Sequence, residues 1–312
     1  MTTSADYPRD LYGYGPNPPD PQWPGGARVA LNLVINYEEG AEHTIMDGDA
    51  HSEGLMTDVP GHPTFQALEG KRNLLVESIY EYGSRAGIWR ILRLLERYDV
   101  RCTVYACGQA MERNPVAAKA MADAGHEIAT HGYRWIDHGE LTEAEERDHM
   151  RRAIEAITNT TGKRPVGWFA GRMSAISRRL AAEEGGFIYD SDSYADDLPY
   201  WVEDSGHPVL ILPYSLEVND MRFTVPGGFT EGRQFFNYMR DSFDFFYEEG
   251  AKHPRMMSVG LHPRVVGRPG RARALQDFLE HVQQHEDVWI CTREEVARHW
   301  REKFPYPGPA AQ

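Results

Sequence analysis

Short apolar runs alternate with amphipathic stretches along most of this chain, and run after run ends in a residue capable of chemistry. Val29 to Ile35 leads to Glu38 and Glu39, Ile128 to Thr130 to His131, and Val166 to Ala170 to Arg172. Phe187 to Tyr189 leads to Asp190 and Asp192, and Val259 to Leu261 to His262. Functional groups gathered at strand C-termini mark α/β barrels and doubly wound sheets, because the loops leaving the strands converge at one end.

The periodicity predicts a first strand over Arg28 to Asn36 and a helix over Arg85 to Tyr98, with Ile88, Ile91, Leu92 and Leu95 on one face. Val100 to Cys107 and Glu127 to Thr130 are strands, with a helix over Pro115 to Ala124 between them. A helix over Thr142 to Thr161 opens on Thr142 and Glu145, the pattern of a capping box. Strands over Val166 to Ala170, Phe187 to Tyr189, Val209 to Leu212, Met257 to Leu261 and Val288 to Cys291 complete the set. Helices over Ser174 to Glu184, Gly232 to Gly250 and Ala272 to His285 lie between them, and Thr292 caps a last helix to Lys303. Seven or eight β-α units in chain order favour a parallel α/β barrel over an open sheet. At 312 residues with 41% hydrophobic content, one domain with one large core is expected. Its parts are an extended arm over residues 1–27, a barrel over 28–303 and a tail over 304–312. The arm, rich in Pro, Gly and aromatics, is expected to pack on the barrel or on a neighbouring subunit. Gly40 to Arg72 is too long for an idle connection and reads as a functional loop.

A net charge of −14, from 33 basic and 47 acidic residues, argues against nucleic acid and anionic membranes as partners. No apolar run is long enough to span a bilayer, and Met1 to Asp10 lacks the features of a signal peptide, so a cytoplasmic location is expected. Cys102, Cys107 and Cys291 are odd in number, show no metal-ligand pattern and read as small core residues.

The strings Leu33 to Gly40, Thr130-His131-Gly132, Gly171-Arg172, Tyr189-Asp190-Ser191-Asp192 and Leu261-His262-Pro263 resemble, in order and spacing, the five motifs of the polysaccharide deacetylase (NodB-like) family. Tyr7 to Leu11, Asn36 to Gly40, Glu77 to Gly83 and His131 to Trp135 are similar to its cofactor-independent allantoinase branch. The resemblance covers nearly the whole chain. It implies a distorted (β/α)7-type barrel, hydrolysis of a C–N bond and, for the branch, a homotetramer acting on a small cyclic ureide.

The departures from the family pattern carry information of their own. Metal-dependent members use an Asp pair, one acid as base and one as zinc ligand, with two histidines four positions apart. By that resemblance Glu38 matches the base, Glu39 the metal ligand and His131 the first histidine, while Trp135 falls at the second. An indole has no lone pair to give a metal, so a catalytic zinc is disfavoured and no cofactor is expected; His138 is the substitute ligand if the loop folds back. A metal-free route has Glu38 as general base on water and Glu39 raising the pair's apparent pKa. His262 is then general acid or oxyanion donor, with His131 as its partner. Arg172 would orient a carbonyl, and Asp192 would accept substrate N–H groups or hold Arg172. Tyr37, Trp135, Trp168 and Phe169 are the candidate walls.

Each assignment has a plainer competitor. The glutamates can be a solvated run, His131 and His262 satisfied core histidines, Arg172 the partner of Asp190 or Asp192, and the tryptophans packing. His43, His51 and His62, with Asp47, Asp49 and Asp58, read as a solvated loop rather than a second metal site. Phe235, Phe236, Met239, Phe243 and Phe246 are helix packing or an oligomer contact. Two other functions stay open: a metal-dependent N-deacetylase of acetylated sugar polymers, and a non-catalytic carbohydrate-binding relative.

Overall fold

Nine consecutive residues, Val29–Tyr37, form β1, and every one of them is buried. That requires a layer on each face of the strand. Even-numbered side chains such as Ala30 and Val34 join an inner cluster with Tyr105, Phe169 and Tyr214, whereas Leu31, Leu33, Ile35 and Tyr37 pack outward among helices. This is the two-residue alternation of a strand buried on both sides. The computed structural model describes residues 9–57 and 68–308.

The remaining strands are β2 (Thr103–Ala106), β3 (Glu127–Thr130), β4 (Gly167–Trp168), β5 (Tyr189–Asp190), β6 (Tyr200–Asp204), β7 (His207–Ile211), β8 (Arg255–Leu261) and β9 (Val288–Ile290). Helices α1 (Leu74–Tyr82), α2 (Ile88–Arg97), α3 (Gly108–Arg113), α4 (Pro115–Asp123) and α5 (Glu143–Thr161) precede the hairpin region, together with α6 (Ser177–Glu184). After it come α7 (Gly232–Glu249), α8 (Pro269–Val282) and α9 (Arg293–Lys303).

The sheet runs β6-β7-β5-β4-β3-β2-β1-β8. β8 pairs with β1 in parallel over seven residues, while the other edge of β1 is shared by β9 below and β2 above. One strand serving two neighbours on one edge forces the sheet to curl. After β7 the chain returns to β8 through a single bridge, Asn219 to Gly260, so the curl closes on a loop and the α/β domain is a half-barrel. The distorted barrel implied by the family resemblance is what forms.

Strict β-α alternation breaks at one place. β6 and β7 are an antiparallel hairpin, so the sheet is mixed rather than wholly parallel. Tyr200–Asp204 escapes a periodicity search because it is a half-buried edge strand carrying Trp, Glu and Asp. A second difference precedes the predicted helix at Arg85: α1, a π-helical turn over Gly83–Gly87 and α2 form one helical stretch. The capping boxes of α5 and α9, at Thr142 and Thr292, are both made.

The described part of the arm turns Trp23 into the barrel base, where it packs against Trp289, His299 and Trp300. Phe235, Met239 and Phe243 on α7 are core residues, with Phe236 and Phe246 partly buried beside them. The three cysteines are free and buried. Among the described residues no helix is long and apolar enough to cross a membrane.

Candidate active site

The inward alternation of β1 continues past its end, so Glu38 points into the barrel mouth and Glu39 into the helical layer. Glu38 is 1% exposed and is the point on which the ends of three strands, β1, β3 and β8, converge. His131, after β3, brings Nε2 to 3.2 Å from Oε1, and His262, after β8, brings Nε2 to 3.6 Å from the same oxygen. Arg264, two residues beyond His262, donates from Nη2 to the other oxygen at 2.6 Å.

Each partner is itself held. His131 Nδ1 lies 3.1 Å from the carbonyl oxygen of Phe169, which can only accept, so Nδ1 carries a hydrogen and the ring is oriented. His262 Nδ1 lies 2.6 Å from Asp220 Oδ1, while Asp220 Oδ2 accepts the backbone N–H groups of His262 and Val266. This fixes the imidazole with Nε2 aimed at Glu38, the arrangement by which an acid orients a histidine in catalytic triads. Arg264, fully buried, also donates from Nη1 and its backbone N–H to Glu39 Oε1, at 3.4 and 3.2 Å, and from Nε to the carbonyl of Met56. Its guanidinium stacks 4.2 Å from the Tyr80 ring and 5.5 Å from Trp135.

These contacts pull the two acids apart. Burial alone would raise Glu38, but Arg264, His262 and the hydrogen bond from His131 outweigh it and hold the carboxyl well below the ordinary range. Glu39 goes the other way: burial, helped by the charge of Glu38, exceeds the pull of Arg264 and lifts it to about 7. The like-charge effect expected on the pair thus raises Glu39 alone. Burial opposes protonation of His262, yet Asp220 and then Glu38 raise it to about 9.

The π-helical turn explains the Glu77 to Gly83 string. A Cβ at Gly83 would sit 2.3 Å from Glu39 Oε1, and one at Gly87 2.0 Å from the carbonyl oxygen of Pro263. Only glycine lets the helix press against Glu39 and the His262-Pro263-Arg264 loop.

The other predicted residues divide. Trp135 lies at the site, sandwiched near Arg264 and under the Arg172 guanidinium, 3.7 Å from its ring centroid. Phe169 packs on His131 and Tyr105. Asp192 spends both carboxylate oxygens on the backbone N–H groups of Ala170 and Gly171, supporting the turn that presents Arg172. Arg172 meets Glu53 at 3.8 Å instead of Asp190 or Asp192, and Arg178 takes Asp190. Tyr37 and Trp168 are not walls of the mouth: Tyr37 faces outward to Ser84, and Trp168 packs with Met150, Ile154 and Leu180. In the long loop, Asp47 pairs with Arg113 and Asp49 with Arg134, while His62 and Asp58 lie outside the described residues.

Arg264, Asp220 and Glu53 escaped the sequence reading. Arg264 had a signal, a cation two residues past His262 and directly before the apolar pair Val265-Val266. Asp220 and Glu53 sit in segments without periodicity, where only the fold reveals their partners.

Zinc of the kind bound by metal-dependent deacetylases needs three protein donors around one open position. The residues here do not fit it. Glu39 Oε1 is taken by Arg264, Trp135 offers no lone pair, and His138, held by Glu146 through Nδ1, turns its Nε2 toward Gly132 and forms no close donor set with Glu39 and His131. A guanidinium already stands between the two acids. Among the described residues, the set of donors close enough to share an ion is Asp244, His281 and His285 on α7 and near the end of α8, and it includes nothing from this site.

The polysaccharide deacetylase family profile matches residues 71–187. A Schizosaccharomyces pombe protein bearing a polysaccharide deacetylase name is 40% identical over 96% of this chain and 98% of its own length. Two crystal structures superpose with a TM-score of 0.93 at 52% identity over 96% of this chain: a Pseudomonas aeruginosa protein, also bearing a polysaccharide deacetylase name, covered over its whole length, and a PuuE allantoinase covered over 99%. With its half-barrel, its five strand-end motifs and these full-length relatives, the chain belongs to the polysaccharide deacetylase family of hydrolases.

Proposed function

We propose that this chain opens the hydantoin ring of allantoin to give allantoate, using general acid-base chemistry supplied by its own side chains. The observation that carries this reading is the Arg264 guanidinium seated against Glu38 and Glu39 while two imidazole Nε2 atoms converge on Glu38. The positive charge is then supplied by the chain itself. The 52% identity to a PuuE allantoinase over nearly the full length of both chains supports it further.

A five-membered cyclic amide suits such a site because its peptide unit is held in the less stable cis geometry, which lowers the demand on the catalyst. Glu38 accepts a proton from the attacking water. In the resting site its carboxylate is a weak base, but a substrate carbonyl that enters beside His131 and takes the Nε2 hydrogen of His262 removes one of the contacts holding its pKa down. Those imidazoles then face the oxyanion that develops on the ring carbonyl. His262, charged at neutral pH, gives its Nε2 proton to the leaving ring nitrogen as the C–N bond breaks, and Asp220 steadies the ring throughout. The carboxylic acid so formed returns a proton to His262 as it ionises, Glu38 passes the proton it took from water to solvent, and the products leave as a carboxylate and a neutral ureide nitrogen. Arg264 stays in place as a fixed counter-charge.

The test is to incubate chelator-treated protein with racemic allantoin and, in parallel, with acetylated chito-oligosaccharides. Allantoate formed at an undiminished rate after chelation is the expected result. Release of acetate alone, restored by zinc, overturns the proposal in favour of N-deacetylation, the activity in the names of several relatives. Binding of the sugar without turnover of either substrate would favour the non-catalytic reading.

A further inference from the structure

Beside the catalytic centre lies a second polar cluster that the chemistry above does not use. Glu53 is 4% exposed, and its Oε1 accepts the backbone N–H groups of Gly54 and Leu55 at 2.9 and 2.8 Å. Its Oε2 is buried and has no hydrogen-bond partner among the described residues. Facing it at 3.8 Å is Arg172 Nη2, equally buried and equally without a hydrogen-bond partner. The pair is within ionic reach but too long for a hydrogen bond, so each atom keeps a free valence, which buried polar atoms rarely do.

The cluster is joined to the reaction centre by two routes. Trp135 carries the Arg172 guanidinium at 3.7 Å and the Arg264 guanidinium at 5.5 Å from one ring centroid. Meanwhile, in the chain just after Glu53, the Leu55 carbonyl accepts from the Tyr80 hydroxyl and the Met56 carbonyl from Arg264 Nε. Glu53 therefore belongs to a segment anchored on Arg264.

Resting on the allantoinase reading, we propose that Glu53 and Arg172 form the subsite that reads the ureido arm of the substrate. A ureido group presents N–H donors and a carbonyl acceptor in one plane. Its N–H groups match the free acceptor of Glu53 Oε2, and its carbonyl matches the free donor of Arg172 Nη2, whose guanidinium Trp135 holds flat. An acetamido group offers a single N–H and satisfies the pair less fully. The hydantoin ring then sits towards Glu38 and the arm towards Glu53.

The experiment compares allantoin with hydantoin, which has the ring but no arm, in the wild type and in Glu53→Gln and Arg172→Met. Hydantoin is followed as a substrate or, if it is not turned over, as a competitive inhibitor. The expected result is a ~10–100-fold fall in the preference for allantoin over hydantoin, carried mainly by KM. Thermal melts report whether either variant has lost its fold, and Glu53→Asp should recover part of the preference. An unchanged ratio, with both compounds weakened alike or neither affected, overturns the subsite. If the wild type turns over neither compound, the reading of the reaction fails; calorimetric binding of the same two compounds then decides the subsite, and equal affinities overturn it.

Discussion

Glu38 and Glu39 are identical side chains on adjacent residues, and the pleat at the end of β1 sends them to opposite sides of the sheet. On the inner side Glu38 meets two imidazoles and a guanidinium, and stays ionised. On the outer side Glu39 is pressed under Gly83, shares Arg264 at longer range, and retains its proton up to about pH 7. Composition is the same and environment is the whole difference. Two acids become a charged participant and a half-neutral brace because desolvation is answered by nearby charge in one case and not in the other.

The sharpest way to break this contrast is Glu38→Gln, which removes the charge on the inner side and leaves the outer side intact. Loss of a general base predicts a fall in kcat of ~10²–10⁴-fold. Near-normal turnover by a folded variant would rule out the base.

Next in size is Asp220→Asn. With its carboxylate gone, His262 loses the largest influence raising its pKa. On the proposed reaction activity needs protonated His262, so the alkaline limb of kcat/KM should lie near 9 in the wild type and move to lower pH in the variant, with a loss of ~10–10²-fold at neutral pH. The same linkage acts on stability. A histidine whose folded pKa exceeds its unfolded value of about 6.5 stabilises fully below that value and loses the contribution as pH rises through 9. A limb that stays in place in Asp220→Asn would separate it from His262.

Gly83→Ala loads the outer side. Its Cβ would collide with Glu39 Oε1, and overpacking of this kind costs about 1–3 kcal/mol of stability. Chemical denaturation should show that loss while kcat, set by the inner side, falls by less than tenfold.

How much of this was legible before the fold was known follows the same division. The ends of β1, β3 and β8 could be read because a buried strand leaves a dense apolar run and a polar break, which located Glu38, His131 and His262. The partners of Glu38, His262 and Arg172 were missed. Asp220 comes from a 3-10 turn, Glu53 from a long loop, and Arg264 from the third residue of a loop, and no period marks any of them. Gly83 and Gly87 look like a helix break in one dimension, yet they are where a helix approaches most closely. Alternation within a strand is local and visible in sequence; convergence of loops is a property of the closed barrel.

The smallest expected effect tests the outer acid most directly. Glu39→Gln replaces a group that is about half protonated near neutrality with a neutral one of the same shape, so activity at pH 7 should fall by less than about tenfold. The stability profile is more telling. A carboxyl whose folded pKa is raised binds more protons folded than unfolded between about 4.5 and 7, so the wild type should lose stability as pH rises through that window. The Gln variant lacks this loss and should gain on the wild type, in Tm or denaturation midpoint, from pH 5 to pH 8. A difference that is flat across those pH values would mean that Glu39 is ionised throughout, and the outer acid would then be a second full charge on Arg264 rather than its half-neutral brace.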